Sequence, residues 1–486
     1  MRASVGFSIA PALRWILTGR ALQVLLQVVG LVILARLLSP ADFGLVASVG
    51  IVTALVQTLL DMGTGAALVQ RQRLEAHHPN AVFWFNVCVG FLLAGVVIVA
   101  APTLSGWLNE ERLIPIFCWL SFGFPLSVLG ATHAALLERE SKFRSLMIRS
   151  AVASAAGLVI AILLALGGAG VYALVGQSLV MAATSTILLW RSSAWRPGAP
   201  SLRGLHDIAS FSGNLFSFNL LNYVHRNADT AIVGRTLGQL DLGLYNVAYR
   251  FLLFPLQNIT FAINKALLPA YSRRQSEPGG LAAHYIETLR GISLVTAPIM
   301  AAIWVAREPM VGMLLGPGWE RSADVIQWLA PVGFIQSIVS TSGSVLAACG
   351  RTDTLRTLGI FGVPFLTASF LVGIPWGIEG VAAAYCIANA IWLFPVLRTV
   401  MRTIQGSLSV AFAAITLPAV IAAVAFFGAS LALDAAGADA QVTQLLLTPL
   451  LGGMLFLLGV RILMWDTICS ILSGTFERRG KPNTQR

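Results

Sequence analysis

The sequence predicts an all-α integral membrane protein with about fourteen transmembrane helices, organised as two six-helix lobes followed by two further helices. Three observations lead to this fold class: an apolar composition, the recurrence of long apolar segments, and an internal repeat. Of the 486 residues, 57% are hydrophobic and 11% are charged, whereas a soluble domain is about half apolar and about a quarter charged. Mean hydropathy is +0.79. A chain of this composition is expected to lie in a membrane.

Apolar segments long enough to cross a bilayer core of about 30 Å as a helix recur from end to end. Short polar connections join them, so the sequence contains no separate soluble domain. The first begins near Trp15 without a following small-residue cleavage site, which favours a retained helix over a removed signal peptide. A total of about twelve spans is the alternative to about fourteen. The predicted spans, each to within a few residues, are 15–37, 43–61, 81–104, 113–137, 146–167, 170–190, 209–233, 243–269, 284–306, 322–348, 355–375, 378–397, 408–432 and 442–465.

The distribution of basic residues predicts the orientation of the chain. One set of alternate connections carries clusters of arginine and lysine, such as the cluster that runs from Arg139 to Arg149. The other set carries fewer basic residues and mixes them with acidic ones, as at 110–112. Because an excess of Lys and Arg marks the cytoplasmic side, both termini are expected to be cytoplasmic. The net charge of +11 follows largely from this topology, which leaves nucleic-acid binding without support.

An internal repeat divides the chain. The segment ILARLLSPADFGL (33–45) returns as IVGRTLGQLDLGL (232–244) at a constant offset of 199 residues. One repeat covers six spans, an even number, so the two copies enter the membrane from the same side as parallel repeats. Two lobes facing each other across a pseudo-twofold axis form the architecture of an alternating-access transporter. The predicted divisions are an N-terminal lobe (1–200), a C-terminal lobe (201–405), two appended lipid-facing helices (406–466) and a cytoplasmic tail (467–486).

Polar residues within four repeat-related spans fall on one helical face each. Successive members are three, four or seven residues apart, which places them on a common side of a helix. A charged group inside the membrane costs a few kcal/mol unless it has a partner or a wet cavity, so the four stripes predict one water-filled cavity between the lobes. The stripes are Arg20, Gln23 and Gln27 in span 1, Thr53, Gln57 and Asp61 in span 2, Asn219, Asn222, Arg226 and Asp229 in span 7, and Asn246, Arg250, Gln257 and Asn264 in span 8.

Each stripe also has a purely structural interpretation. Asn and Gln within spans often join helices by hydrogen bonds worth about 0.6 kcal/mol. Arg226 and Asp229 are three residues apart and can neutralise each other as an ion pair. Lys265 and Arg290 lie near predicted cytoplasmic ends, where their side chains can extend to the membrane surface. His225 points away from the centre of its stripe, which favours a structural role.

The wall of the predicted cavity is net positive. It contains Arg20, Arg226 and Arg250 against Asp61 and Asp229. A basic intramembrane cavity suits an anionic substrate, because the planar guanidinium group binds phosphate oxygens in a bidentate manner. A transporter of cations is expected to show the opposite balance of charges.

Turn and hinge residues account for part of the remaining polar and proline content. Asp42 and Asp241 begin helices in the segments SPADFG and GQLDLG, and we expect them to cap those helices and not to touch substrate. Prolines within spans 8 to 11 provide positions where a helix can bend. These prolines are Pro255, Pro298, Pro331 and Pro364.

Two blocks of sequence resemble a known family. GLVILARLLSPADFGLVASVGIVTALVQTLLDMGTGAALVQR (30–71) resembles the opening of the bacterial polysaccharide-transporter family, and RNADTAIVGRTLGQLDLGLYNVAYRFLLFP (226–255), continued by INKALLPAYSR (263–273), is similar to its span 7–8 signature. This family includes the Wzx-type flippases and belongs to the multidrug/oligosaccharidyl-lipid/polysaccharide exporter superfamily. The resemblance covers roughly residues 1–400.

The resemblance implies a non-enzymatic flippase of the bacterial inner membrane. Such a protein moves polyprenyl-diphosphate-linked oligosaccharides to the outer leaflet by alternating access, for the synthesis of exopolysaccharide, capsule or the O-antigen of lipopolysaccharide. The implied partners are this substrate, membrane lipids, and a polysaccharide polymerase with its co-polymerase; no cofactor, metal or nucleic acid is implied. By position, the diphosphate would be held by Arg20, Arg226 and Arg250, the glycan by Gln23, Gln27, Asn219, Asn222 and Gln257, and a coupling ion by Asp61 and Asp229.

Two rival functions remain at this stage. A proton- or sodium-coupled drug exporter of the same fold is expected to have acidic residues dominating its cavity, contrary to the balance above. A membrane-embedded glycan polymerase or ligase usually needs a sizeable outer loop with catalytic residues. The outer connections here are short and contain no paired carboxylates, HExxH or nucleophile motif.

Overall fold

The computed structural model describes residues 9–60, 64–71, 74–75, 77–200, 227–260, 267, 271, 280–437 and 441–472. Over these residues the chain forms helices and no β-strand, which confirms the predicted all-α class. Long apolar helices form because each satisfies every backbone hydrogen bond internally, as a hydrocarbon environment requires.

The N-terminal half of the described chain contains ten helices. The long helices follow the predicted spans closely, except that span 4 is divided in two at Phe122. The short helix Thr64–Gln70 lies in a predicted connection and was not predicted. The helices are α1 (Ile9–Leu37), α2 (Pro40–Leu60), α3 (Thr64–Gln70), α4 (His77–Trp107), α5 (Leu113–Ser121), α6 (Gly123–Arg139), α7 (Phe143–Leu166), α8 (Tyr172–Ser192), α9 (227–236) and α10 (Gln239–Pro255).

The C-terminal half begins with a π-helical turn, Leu256–Thr260, that continues α10 beyond its terminal proline. Span 10 is divided in two at Ser340. A 3₁₀ turn (Ile374–Trp376) joins α15 to α16. The helices are α11 (Gly280–Val305), α12 (Arg307–Leu314), α13 (Glu320–Val339), α14 (Thr341–Ala348), α15 (Thr352–Gly373), α16 (Gly377–Thr403), α17 (Leu408–Ala435) and α18 (Gln441–Leu472).

Eleven helical segments among the described residues are long and apolar enough to cross a membrane. One of them, Thr352–Thr403, is 52 residues long and contains both α15 and α16. The predicted spans 209–233 and 243–269 fall partly outside the described residues, so the number of spans stays a prediction. The protein is a multi-pass helical membrane protein.

The chain separates into two compact units, Met1–Asn246 and Val247–Arg486. The first has a core in which Val49 of α2, Ala101 of α4 and Phe117 of α5 are fully buried. The core of the second includes residues of α11, α13, α14 and α16. The division into lobes at residue 200 stays a prediction.

The two repeated segments contact each other within the first unit. A Cβ atom at Gly44 would collide with the carbonyl oxygen of Gln239, and a Cβ atom at Gly243 would collide with the carbonyl oxygen of Pro40. Residues 44 and 243 correspond in the repeat, and so do residues 40 and 239, so this contact is reciprocal. The buried hydroxyl of Ser48 donates a 2.7 Å hydrogen bond to Oε1 of Gln239 beside it. This glycine contact joins the first turns of α2 and α10.

Asp42 caps helix α2, as the sequence predicts. Its Oδ2 accepts hydrogen bonds from the backbone N–H and the hydroxyl of Ser39, at 3.0 and 2.7 Å. The backbone N–H of Asp42 in turn lies 3.3 Å from Oγ of Ser39, which completes a reciprocal capping box. Pro40 follows at the first helical position, where its missing N–H costs nothing.

The appended helices α17 and α18 do not face lipid alone. Ala422, Ala425 and Phe426 of α17 are buried in a cluster with Ala297 of α11. Their opposite faces are apolar and exposed, as Val424 of α17 illustrates at 68% exposure. The pair therefore combines a buried face and a face suited to lipid.

Candidate functional site

The first compact unit contains a polar cavity of about 750 Å³ between α1, α2, α5, α6, α7 and α8. Its volume lies within the range of about 300–1,000 Å³ that is usual for ligand sites. We call it the α7 cavity, because α7 contributes its charged residue. Its polar lining residues are Gln23, Thr53, Gln57, Ser127, Arg149, Ser150, Ser154, Ser178 and Ser185.

The polar stripes predicted in spans 1 and 2 are partly represented in this wall. Gln23 of α1 lines the α7 cavity, and so do Thr53 and Gln57, which stand one helical turn apart on α2. The described residues offer no hydrogen-bond partner to the side-chain amides of Gln23 and Gln57. Arg20 and Gln27 are exposed on α1 and are not among the residues that line this cavity.

Arg149 supplies the positive charge of the α7 cavity. Its Nη2 donates a 2.9 Å hydrogen bond to the hydroxyl of Ser150. Its Nε is buried and has no hydrogen-bond partner among the described residues. The described residues that line the cavity include no aspartate or glutamate. Within that part of the chain, the guanidinium group of Arg149 has no compensating carboxylate on the cavity wall.

Small residues on two helices leave the space in front of this guanidinium group open. On α8, Ser178, Ala182 and Ser185 line the cavity at steps of four and three residues. On α7, Ala153 and Ser154 follow Arg149 on the lining face. These serines were not predicted as site residues, and Arg149 was assigned to the basic cluster of a cytoplasmic connection. The sequence feature that could have identified these residues is the recurrence of serine and alanine at helical spacing close to an arginine.

A second cavity of about 830 Å³ adjoins the first and shares Gln57 and Ser127 with it. Its charged lining residue is Glu138. Thr64 and Asn86, which also line it, form a buried hydrogen-bonded pair at 3.3 Å. The two neighbouring cavities thus differ in charge, with an arginine in one and a glutamate in the other.

Several predicted site residues lie outside the described part of the chain. These residues are Asp61, Asn219, Asn222 and Arg226, together with His225, Asn264 and Lys265. Their proposed contacts, including an ion pair between Arg226 and Asp229, stay predictions.

Asp229 is buried in the described part of α9, with 3% exposure. Its Oδ1 accepts a 2.7 Å hydrogen bond from the backbone N–H of Thr230 and a 3.2 Å bond from the hydroxyl of the same residue. The hydroxyl of Tyr245 lies 3.4 Å from the other carboxylate oxygen. Both oxygens of Asp229 therefore have partners within the first unit.

Arg250 and Gln257 are exposed side chains of α10 and of the π-helical turn that follows it. A π-helical turn widens the helix by one residue and is frequent at functional sites. The sequence predicts that Arg250 and Gln257 lie on one face of a regular helix. The π-helical turn changes that register after Pro255, so the two side chains do not follow regular α-helical spacing.

The helices and their order are those of known membrane transporters. The chain superposes on the lipid II flippase MurJ in an inward closed conformation with a TM-score of 0.73, covering 94% of this chain and all of that one at 13% identity. It superposes on an inward-facing multidrug resistance transporter of the MATE family with a TM-score of 0.60, covering 79% of this chain and 94% of that one at 15% identity. At these identities the likeness shows the fold, which is that of the MurJ and MATE transporters.

The sequence places the chain more closely within this fold class. Residues 33–324 match the family described as "Polysaccharide biosynthesis protein". This match covers more than half of the chain, and the chain belongs to that family. The resemblance identified from the two sequence blocks is thereby confirmed.

Curated relatives have related names. The chain is 25% identical to the teichuronic acid biosynthesis protein TuaB of Bacillus subtilis, over 72% of this chain and 73% of that protein. It is 25% identical to the lipopolysaccharide biosynthesis protein WzxC of Escherichia coli, over 78% of each chain. It is 27% identical to the succinoglycan biosynthesis transport protein ExoT of Rhizobium meliloti, over 76% of this chain and 75% of that protein.

Proposed function

We propose that the protein is a flippase that carries polyprenyl-diphosphate-linked oligosaccharide units across the bacterial inner membrane by alternating access. The named relatives act in the synthesis of teichuronic acid, lipopolysaccharide and succinoglycan, and one of them is named a transport protein. The MurJ fold supports translocation of a lipid-linked sugar as the activity.

The single observation that carries the proposal is an uncompensated arginine within a transporter fold of a polysaccharide family. Arg149 lines a cavity in which the described lining residues include no acid. Its side chain is half-buried, and its Nε is buried without a partner among the described residues, so an anionic ligand is favoured beside it. Lipid-linked oligosaccharides are anionic at their diphosphate, and many carry acidic sugars as well.

The remaining predicted site residues take the following roles in this proposal. Arg20, Arg226 and Arg250 attract the diphosphate, and Asp61 and Asp229 hold a coupling ion. Side chains that hydrogen-bond the glycan are Gln23, Gln27, Asn219, Asn222 and Gln257. An amide both donates and accepts, which matches the alternating donors and acceptors of sugar hydroxyl groups.

The orientation and partners follow from the same proposal. The basic connections lie on the cytoplasmic side, so both termini are cytoplasmic and the substrate is loaded from the cytoplasm. The protein performs no bond-making chemistry, and a polymerase with its co-polymerase uses the translocated units on the outer side. Membrane lipids surround the helices.

The test compares cells that lack the protein with cells that express it again, either unchanged or as Arg250→Ala. Loss of surface polysaccharide with accumulation of the lipid-linked unit is expected in the deletion, and Arg250→Ala is expected to restore little of the polymer. Arg356→Ala serves as the matched control, because Arg356 is an exposed arginine at the start of α15. Membrane levels of each variant are measured by immunoblot.

The contrary outcome is equally specific. If the deletion leaves lipid-linked glycan and surface polymer unchanged while sensitivity to cationic dyes rises, the protein is a drug exporter. The MATE likeness supplies only the fold for that alternative.

A further inference from the structure

We propose that the α7 cavity is a binding site for an oxyanion of the transported glycan, held by Arg149 and surrounded by donors for sugar hydroxyl groups. The ligand is a carboxylate of an acidic sugar or a phosphate oxygen. The identity of this ligand rests on the proposed function, whereas the anion preference of the cavity rests on its own geometry.

The guanidinium group of Arg149 is only partly satisfied by hydrogen bonds. The Nε of Arg149 is buried without a partner among the described residues, and Nη2 donates to the neutral hydroxyl of Ser150. A guanidinium group has five N–H donors in a planar fork. The side chain of Arg149 is half-buried, and removing part of a guanidinium group from water without a carboxylate is unfavourable unless a ligand or water satisfies it. An oxyanion supplies both the missing charge and the missing acceptors.

Arg149 contrasts with Arg139, an arginine of the neighbouring helix α6. Nη1 of Arg139 donates to the carbonyl oxygens of Leu68 and Val69, at 2.8 and 3.2 Å. This arginine fastens α6 to α3 and has a structural role. Arg149 makes no such bond to a backbone carbonyl among the described residues. Its side chain is therefore available to a ligand.

The cation has a supply of uncommitted polar groups around it. The hydroxyls of Ser154 and Ser185 line the cavity and have no hydrogen-bond partner among the described residues. The amides of Gln23 and Gln57 are equally free on the facing helices. Neutral donors and acceptors beside one cation match the chemistry of an acidic sugar, which is a single negative charge among hydroxyl groups.

Arg149 lies close to the end of α7 at which the substrate is expected to enter. Arg149 lies six residues beyond Phe143, the first residue of α7, which is about 9 Å along the helix axis. The start of α7 is predicted to be cytoplasmic. Arg149 would therefore meet an anionic group soon after it enters from the cytoplasm. Arg144, on the same helix, is exposed and lies outside the lining of the cavity.

The anion preference is tested on the full chain with its five cysteines replaced by alanine and Ser154→Cys introduced. In membrane vesicles, the rate of modification by a sulfonate methanethiosulfonate is divided by the rate for the trimethylammonium reagent. This ratio is expected to fall about 25-fold on Arg149→Gln, because one unit charge a few ångströms away in a solvated cavity speeds the anionic reagent and slows the cationic one by about five-fold each. Arg149→Lys keeps the charge and is expected to retain most of the ratio.

Two controls confine the effect to the cavity. Arg144→Gln removes a charge from the same helix and is expected to leave the ratio unchanged. A cysteine at Ala131→Cys, in the adjoining cavity, is expected to report no change on Arg149→Gln. Retention of the ratio in Arg149→Gln, or an equal fall in Arg144→Gln, would contradict the proposal.

Protection of the same cysteine identifies the source of the oxyanion. Inorganic pyrophosphate slows its modification if the site takes phosphate, and glucuronate slows it if the site takes a sugar carboxylate. Glucose is the neutral control and is expected to have no effect. Failure of both anions to protect overturns the assignment.

Complementation in cells separates this proposal from the proposed function. Arg149→Gln is expected to reduce surface polysaccharide and to accumulate the lipid-linked unit, with partial rescue by Arg149→Lys and none of these effects in Arg144→Gln. If the deletion itself leaves the glycan unchanged, the flippase function fails while the reagent ratio still tests the cavity. If the deletion blocks export but Arg149→Gln at normal membrane level behaves as wild type, the cavity assignment fails alone.

Discussion

At the scale of single residues, the first turn of α2 is capped by reciprocal hydrogen bonds between Ser39 and Asp42. The carboxylate of Asp42 accepts from both the N–H and the hydroxyl of Ser39. These bonds satisfy donors that the helix itself leaves unpaired at its first turn. The aspartate is therefore fully explained by local structure, although it lies in the segment that carries the family resemblance.

Removal of this cap is expected to destabilise the protein by about 1 kcal/mol. Ser39→Ala and Asp42→Ala should each lower the melting temperature of the purified protein in detergent. Because the two side chains act as a pair, the double variant should lose little more than either single variant. Fully additive losses in this double-mutant cycle would mean that the two residues act independently.

An ion pair in the connection between α4 and α5 makes the stability of the protein depend on pH. Nε and Nη2 of Arg112 donate to the carboxylate of Glu110 at 2.8 and 2.9 Å. These hydrogen bonds hold the pKa of Glu110 below its ordinary value. The stabilisation is thus present above the ordinary pKa and is lost as the pH falls through the lowered one.

Glu110→Gln should remove this pH-dependent part of the stability. Both side chains are solvent-accessible, so the difference from wild type at neutral pH is expected to be small. Melting temperatures of wild type and Glu110→Gln are measured from neutral pH into the acid range. The two curves should converge as Glu110 becomes protonated; curves that diverge towards low pH would contradict the assignment.

At the scale of helices, the reciprocal contact between α2 and α10 depends on the absence of two side chains. Gly44→Ala and Gly243→Ala each place a methyl group against a backbone carbonyl of the opposite helix. Overpacking of this kind costs about 1–3 kcal/mol, and a backbone neighbour cannot move aside as a side chain can. Both variants should lower the melting temperature or the membrane level. Gly95→Ala on α4 meets no atom within 4 Å and is the matched control.

The packing of α18 on α17 depends on glycine in the same way. A Cβ atom at Gly452 would lie 2.5 Å from the ring of Phe426, whereas one at the adjacent Gly453 would meet nothing within 4 Å. Glycines let membrane helices approach closely. Gly452→Leu should therefore separate the pair and increase proteolysis of the C-terminal end, whereas Gly453→Leu should be tolerated. Equal sensitivity of the two variants would contradict this packing.

At the scale of the whole molecule, the orientation of the chain can be tested with phosphatase fusions. A fusion after Ala169, between α7 and α8, or after Gly437, beyond α17, is expected to be active outside the cytoplasm. A fusion after Gln405, between α16 and α17, should be inactive. Activity at Gln405 would invert the topology, and inactivity at Gly437 would mean that α17 does not span the membrane.

Much of this molecule is predictable from the sequence, because a hydrocarbon environment requires each spanning segment to satisfy its backbone hydrogen bonds as a helix. Apolar length locates the helices, and the repeat predicts that the segments around Gly44 and Gly243 correspond. The interruptions at Phe122 and Ser340 were not predicted, since each lies inside a segment whose overall apolar length fits one continuous span. Apolar length alone cannot distinguish one helix from two that meet at an angle.

The candidate site was less predictable than the fold. Arg149 lies only six residues from the start of α7. At such a position an arginine can extend to the membrane surface or enter a cavity, and the sequence does not distinguish the two. The cavity predicted from the polar stripes stays a prediction, although Gln23 and Gln57 of those stripes line the α7 cavity. Which cavity they line depends on how the helices pack against one another, and the spacing of polar residues along one helix carries no information about that packing.

The glycine contact between α2 and α10 has the form of an isologous dimer interface, in which residue i touches residue j and residue j touches residue i. In a dimer of two identical half-length chains, one glycine codon would supply both sides of this contact. A fused chain must encode the glycine twice, but the residues around each copy can then differ. The flanking residues show that freedom. Ser39 caps the first copy, and its counterpart Gly238 begins the second with a φ of 87°. One gene can thus keep the joint symmetric while it gives its two halves different tasks.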